Sequence, residues 1–61
     1  MKIVAHILME RDGLSWDEAV SEYLDVRSLI LQAIQSGHFD DAENILQDEL
    51  GLEPDYIWEF I

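Results

Sequence analysis

The chain has 61 residues, of which 14 are Asp or Glu and only three are Lys or Arg, so its formal net charge at pH 7 is -11. This charge repels phosphate and therefore argues against direct binding to nucleic acid or to a membrane surface, while it favours a partner protein with a basic surface. The chain has no cysteine, which excludes disulfides and thiolate metal sites, and we expect no metal and no cofactor.

The length predicts a single helical domain over residues 1–61, near the lower limit at which a hydrophobic core alone supports a fold. We therefore expect a second copy of the chain or a partner protein to contribute to stability. The N-terminal residues do not resemble a signal peptide, and no apolar run approaches membrane-spanning length. The sequence accordingly predicts a cytoplasmic protein.

The first segment has apolar residues at three- and four-residue spacing, namely Ile3, Val4, Ile7 and Leu8. This pattern predicts a helix over residues 2–12, which Gly13 ends in a left-handed conformation. Ser15 and Glu18 then have the spacing of a capping box, in which each side chain accepts a hydrogen bond from the other residue's backbone amide. The second helix is expected to run over residues 16–36 and to end at Gly37.

This second helix has an unusually wide apolar face. At 100° per residue its apolar side chains cover roughly 220°, against the single stripe of an ordinary amphipathic helix; they are Trp16, Ala19, Val20, Tyr23, Leu24, Val26, Leu29, Ile30, Leu31, Ala33 and Ile34. The helix is therefore expected to be covered on two sides. The three shorter helices could wrap around it, or a second copy or a partner could cover part of the face.

Arg27 lies inside this apolar face and is the only cation after Asp12 in the sequence. A buried guanidinium requires a carboxylate, so we expect Arg27 to pair with an acid from another helix or from another chain.

The last part of the chain predicts two more helices. One runs over residues 40–50, with Phe39 ahead of it as an anchor in the turn and Gly51 after it; the other runs over residues 54–60 and begins at Pro54. Four residues of the last helix are expected to point inward, which leaves Trp58 facing away; they are Tyr56, Ile57, Phe60 and Ile61. The fold class is thus all-α, a compact bundle of four helices dominated by the second.

Gly37, Phe39, Ala42, Leu46 and Pro54 have the relative spacing of the glycine, aromatic, alanine, apolar and proline positions of a tetratricopeptide repeat. Residues 23–55 therefore resemble a single helical hairpin of that family. The resemblance implies packing roles for these residues, with Gly37 in the turn and Ala42 allowing close helix approach. A single repeat cannot form the peptide groove of the family, so no binding residues are carried over.

Three segments resemble small acidic uncharacterised helical proteins of bacteriophages and bacteria: GLSWDEA at residues 13–19, AIQSGHFDDAE at residues 33–43 and LGLEPDYI at residues 50–57. This resemblance implies no assigned activity. It suggests an accessory protein of a phage or mobile element, which binds and modulates a host protein.

The favoured function is therefore a small acidic interaction module without catalytic activity. Its candidate interface comprises Trp58, Tyr23, Val26, Arg27 and Tyr56. One alternative is an inhibitor that mimics nucleic acid through an acidic face, for which the candidate residues are Asp17, Glu18, Glu22, Asp25, Asp40, Asp41 and Glu43. Another is a purely structural homodimer. Mimicry should weaken steeply as salt rises, whereas apolar docking should persist.

Overall fold

The computed structural model describes residues 2–61, which form four helical segments and no strand. Helix α1 spans Lys2–Asp12, α2 spans Trp16–Gln35, α3 spans Phe39–Leu50, and a 3-10 helix spans Pro54–Glu59. The predicted all-α bundle dominated by its second helix is confirmed. No helix among the described residues is both long enough and apolar enough to cross a membrane.

The helix boundaries follow the predicted signals closely. α1 has the predicted bounds, while α2 ends one residue early and α3 begins one residue early. The capping box is present at the start of α2, where the Glu18 amide donates to Ser15 Oγ at 3.2 Å and the Ser15 amide donates to Glu18 Oε1 at 3.0 Å. Gly51 ends α3 with a φ of 64°, a left-handed conformation that glycine adopts without strain.

Phe39 differs from its prediction as an anchor in the turn. It is the first residue of α3, and its side chain is exposed. The buried side of α3 instead carries Ala42 and Leu46, which are fully buried. The exposure of Phe39 does not fit its predicted role as an anchor in the turn.

The last helix, predicted over residues 54–60, is present as a 3-10 helix over Pro54–Glu59. Its hydrogen bonds run from residue i+3 to residue i, as from the Phe60 amide to the Ile57 carbonyl at 2.9 Å. A segment this short can form few α-type hydrogen bonds, so the tighter winding costs little. With three residues per turn, side chains three apart lie on one line. This places Ile57 and Phe60 together in the core.

The core lies on one side of α2. α2 packs against α1 and α3, and the 3-10 helix packs against α1 and α3. Every buried side chain among residues 3–61 is apolar or aromatic: Val4, Ala5, Leu8, Ala19, Tyr23, Val26, Ile30, Ala42, Leu46, Leu50, Leu52, Ile57 and Phe60. By contrast Trp16, Leu24 and Leu29 of α2 remain exposed. The shorter segments therefore cover one side of α2 and leave part of its wide apolar face uncovered.

Candidate functional site

The connection between α2 and α3 forms a shallow depression of about 300 Å³, lined by Gly37, His38, Phe39, Asp40 and Asp41. Here His38 Nδ1 lies 3.5 Å from Asp41 Oδ2, and both side chains are exposed. General acid–base chemistry needs a positioned group in a partly dry cleft, which this open pair does not provide. The described residues contain no group of three or more His, Asp or Glu side chains that could hold a metal ion.

The seven candidate acidic residues lie at the surface. All are exposed except Glu43, which is half-buried. On α2 the positions of Glu18, Glu22 and Asp25 are four and three residues apart, so they follow one line along the helix, and Asp17 lies away from it. The hydrogen bond from the Ser15 backbone amide lowers the pKa of Glu18, and the hydrogen bond with the Ser15 side chain lowers it further. Glu18 thus takes part in the capping box while its side chain stays exposed.

Two of the candidate interface residues are not at the surface. Tyr23 and Val26 are buried on the core side of α2, and this removes both from a docking surface of the folded chain. The remaining three are accessible: Trp58 and Arg27 are exposed, and Tyr56 is half-buried. Because the apolar arc of α2 is so wide, the sequence could not distinguish its core side from its uncovered side.

Tyr23 fastens the C-terminal segment to the long helix. Its hydroxyl donates to the Glu59 carbonyl at 2.8 Å, and its ring stacks on Phe60 with the ring centroids 4.7 Å apart. Both contacts join residues more than 35 positions apart, which no local sequence pattern indicates. Tyr23 therefore positions the 3-10 helix rather than contacting a partner.

The outer line of the 3-10 helix carries the most exposed large apolar residue of those the structure describes. Trp58 is 71% exposed, and Ile61, three residues on, is 52% exposed. Trp58 faces away from the core as predicted. Ile61 was expected to point inward, but it is exposed and lies beyond the 3-10 helix, which ends at Glu59. We call Trp58 and Ile61 the Trp58 surface.

A second apolar surface runs along α2. Val20, Leu24, Arg27, Leu31 and Ile34 form what we call the α2 stripe, with successive residues four, three, four and three positions apart. Leu24 is 50% exposed and Arg27 is exposed, while the other three are half-buried. Arg27 was predicted to pair with an acid from another helix or from another chain. It makes no hydrogen bond or ion pair among the residues that the structure describes, so the internal alternative is wrong and the pairing with another chain stays a prediction.

The candidate interface chosen from the sequence lacked Leu24, Leu31 and Ile61. Leu24 and Leu31 belong to the wide apolar arc that the sequence identified, but the arc did not show which of its residues would stay at the surface. Ile61 lies beyond the last helix, and no sequence pattern indicated its exposure.

Comparisons of the chain with protein-family models, with curated proteins and with solved structures found no match. The resemblances to a tetratricopeptide hairpin and to small phage and bacterial proteins therefore stay predictions from the sequence.

Proposed function

We propose that this protein is a small acidic interaction module, which docks on another protein in the cytoplasm through the Trp58 surface and does not catalyse a reaction. The observation that carries the proposal is the 71% exposure of Trp58. Tryptophan is costly to leave in water and is among the residues that contribute most to binding when a partner covers them.

The way in which Trp58 is held also supports docking. Ile57 and Phe60 are buried on the opposite line of the 3-10 helix, and Tyr23 binds this segment through its hydroxyl and its ring. Trp58 thus projects from a segment that is already fixed in place. A fixed anchor loses less conformational entropy on binding than a mobile one, which favours affinity.

The net charge of -11 suggests which proteins would approach this surface. A partner with a basic surface is attracted over several ångströms, and its association rate should fall as salt screens the field. The resemblance to small phage and bacterial proteins favours a bacterial protein as the target, and modulation of that target as the result.

The experiment that tests the proposal is capture from a bacterial lysate on the immobilised chain, followed by a direct binding measurement with the purified captured protein. We expect Trp58→Ala to weaken binding at least about tenfold, the loss typical of a central aromatic anchor. Leu29→Ala is the matched control, because Leu29 is also an exposed apolar residue but lies on α2.

Thermal melting must accompany this comparison, since both variants should unfold at the wild-type temperature. Equal binding by wild type and Trp58→Ala would contradict the proposal. So would loss of binding only in Leu29→Ala, because the captured partner would then bind the side of α2 that carries Leu29 and not the Trp58 surface.

A nucleic-acid mimic is the second candidate, favoured by the exposed line of Glu18, Glu22 and Asp25 on α2. Carboxylates on such a line could occupy a basic groove that normally binds phosphates. In the same capture experiment, release of the partner by added DNA and by raised salt would support mimicry. Retention through both would support apolar docking.

A structural homodimer is the remaining alternative. Two chains of charge -11 repel each other, so self-association should strengthen as salt rises. Sedimentation equilibrium at low and high salt measures this directly.

A further inference from the structure

The α2 stripe has the spacing of a helix-packing seam. Residues that alternate four and three positions apart keep to one side of a helix that packs against another helix over its length. The stripe extends from Val20 to Ile34, a length of about 21 Å at 1.5 Å per residue. Its half-buried and exposed apolar side chains offer an extended contact to a second helix, rather than a pocket for a small ligand.

The middle of this seam is uncovered at Leu24 and Arg27, and α1 is shorter than α2. α1 has 11 residues and α2 has 20, so their lengths are about 16 Å and about 30 Å. The ring of His6 on α1 lies 6.0 Å from the ring of Trp16, which places α1 beside the first turns of α2. Beyond them Leu24 is half exposed and Arg27 is exposed.

Arg27 is at the centre of the stripe and lacks a charge partner within the described chain. The residues three and four positions away are Tyr23, Leu24, Ile30 and Leu31, none of which is acidic. A helix that covered the stripe would remove water from this guanidinium. Such burial is unfavourable unless the covering helix supplies a carboxylate.

A second copy of this chain does not meet that requirement. The stripe is nearly symmetric about Arg27, with Leu24 and Leu31 on either side of it. In-register parallel pairing, or antiparallel pairing about the centre, would therefore place Arg27 against Arg27 of the copy. The repulsion between two bodies of charge -11 adds to this cost. The charges favour a different protein.

We infer that the α2 stripe binds an amphipathic helix of another protein, which carries a carboxylate opposite Arg27 and basic residues beside its apolar positions. The carboxylate neutralises Arg27 and sets the register, as a single polar position does in a coiled coil. The basic residues complement the strongly negative remainder of this chain. The inference rests on the proposed function, because it presupposes that the protein acts by binding another protein.

Two synthetic peptides of about 20 residues, long enough to pass the whole stripe, test this inference. Both have Leu at alternating four- and three-residue spacing and Lys beside these positions. One has Glu at the central seam position and the other has Gln. We expect the Glu peptide to bind the wild-type chain about tenfold more tightly, measured by fluorescence anisotropy at about 0.15 M salt.

The variants Arg27→Met and Arg27→Glu identify the residue responsible. Arg27→Met should bind both peptides equally, and Arg27→Glu should prefer the Gln peptide. Both variants should melt near the wild-type temperature, because Arg27 is exposed and its guanidinium forms no ion pair within the described chain. Trp58→Ala is the control and should keep the preference for Glu.

Equal binding of the two peptides by the wild-type chain would overturn the inference, as would a preference for Glu that survives in Arg27→Met. A homodimer that dissociates in Arg27→Glu would also overturn it. None of these results bears on the proposed function, which is tested by whether Trp58→Ala weakens binding to the captured protein. If Trp58→Ala binds that protein as wild type does, the proposed function is contradicted independently.

Discussion

Single side chains at the start of α2 show how an acidic residue can be structural in this chain. Glu18 accepts a hydrogen bond from the Ser15 amide, and the Ser15 hydroxyl accepts one from the Glu18 amide. Both bonds satisfy amides that the first turn of a helix leaves without a partner. The negative charge also lies at the positive end of the helix dipole. Part of the acidity therefore has a structural cause that is independent of any partner.

The lowered pKa of Glu18 gives stability a pH dependence at this residue. Because the pKa is lower in the folded chain, ionised Glu18 stabilises the fold above the pH at which an unfolded glutamate titrates, about 4.3. This contribution is lost as the pH falls through the folded pKa. We therefore expect Glu18→Gln to melt below wild type at pH 7, and the difference to vanish once the pH is below the lowered pKa of Glu18 in the folded chain.

The control for this measurement is Glu22→Gln, since Glu22 is exposed and makes no hydrogen bond among the described residues. It removes the same charge without touching the capping box. A gap between Glu18→Gln and Glu22→Gln that persists unchanged in acid would contradict the assignment.

At the scale of elements, the sequence predicted where helices begin and end better than how they wind and which side they bury. Boundaries depend on local chemistry, such as Ser15 as a cap and Gly51 as a left-handed stop. The 3-10 winding at Pro54–Glu59 depends on how this segment fits against α1 and α3, which no local pattern encodes. For the same reason the sequence could not predict that Leu24 is exposed while Val26 is buried.

The contact between Tyr23 and the 3-10 helix should contribute measurably to stability. Tyr23→Phe removes the hydroxyl that donates to the Glu59 carbonyl while keeping the ring that stacks on Phe60. We expect a loss of about 1 kcal/mol in the free energy of unfolding, or about 4–8 °C in Tm.

Chemical denaturation followed by circular dichroism measures this loss. Tyr56→Phe is the matched control, because the half-buried Tyr56 hydroxyl makes no hydrogen bond among the described residues. Equal stability of Tyr23→Phe and Tyr56→Phe would mean that the hydroxyl of Tyr23 contributes nothing.

For the whole molecule, the net charge of -11 works against a compact state of 61 residues. The ion pair Arg11–Asp12 and the contact between His38 and Asp41 lie at the surface, so screening them with salt costs little stability. The main effect of salt is therefore to screen the repulsion among the acidic side chains.

We therefore expect Tm to rise when NaCl is increased from about 0.01 M to about 0.5 M. A gain of about 1 kcal/mol would correspond to about 4–8 °C. The measurement is repeated with KCl, because an effect of ionic strength should not depend on the cation. A Tm that falls with salt would show that attractive pairs outweigh the repulsion.

The two tryptophans of this chain, Trp16 and Trp58, are both exposed in the folded state. Indole emission shifts to shorter wavelength when the ring leaves water. Trp58 is already 71% exposed, so unfolding should change the emission mainly through Trp16, which is 40% exposed and lies beside His6. Covering Trp58 with a partner should shift its emission to shorter wavelength, so the fluorescence of this ring serves as an optical signal for complex formation.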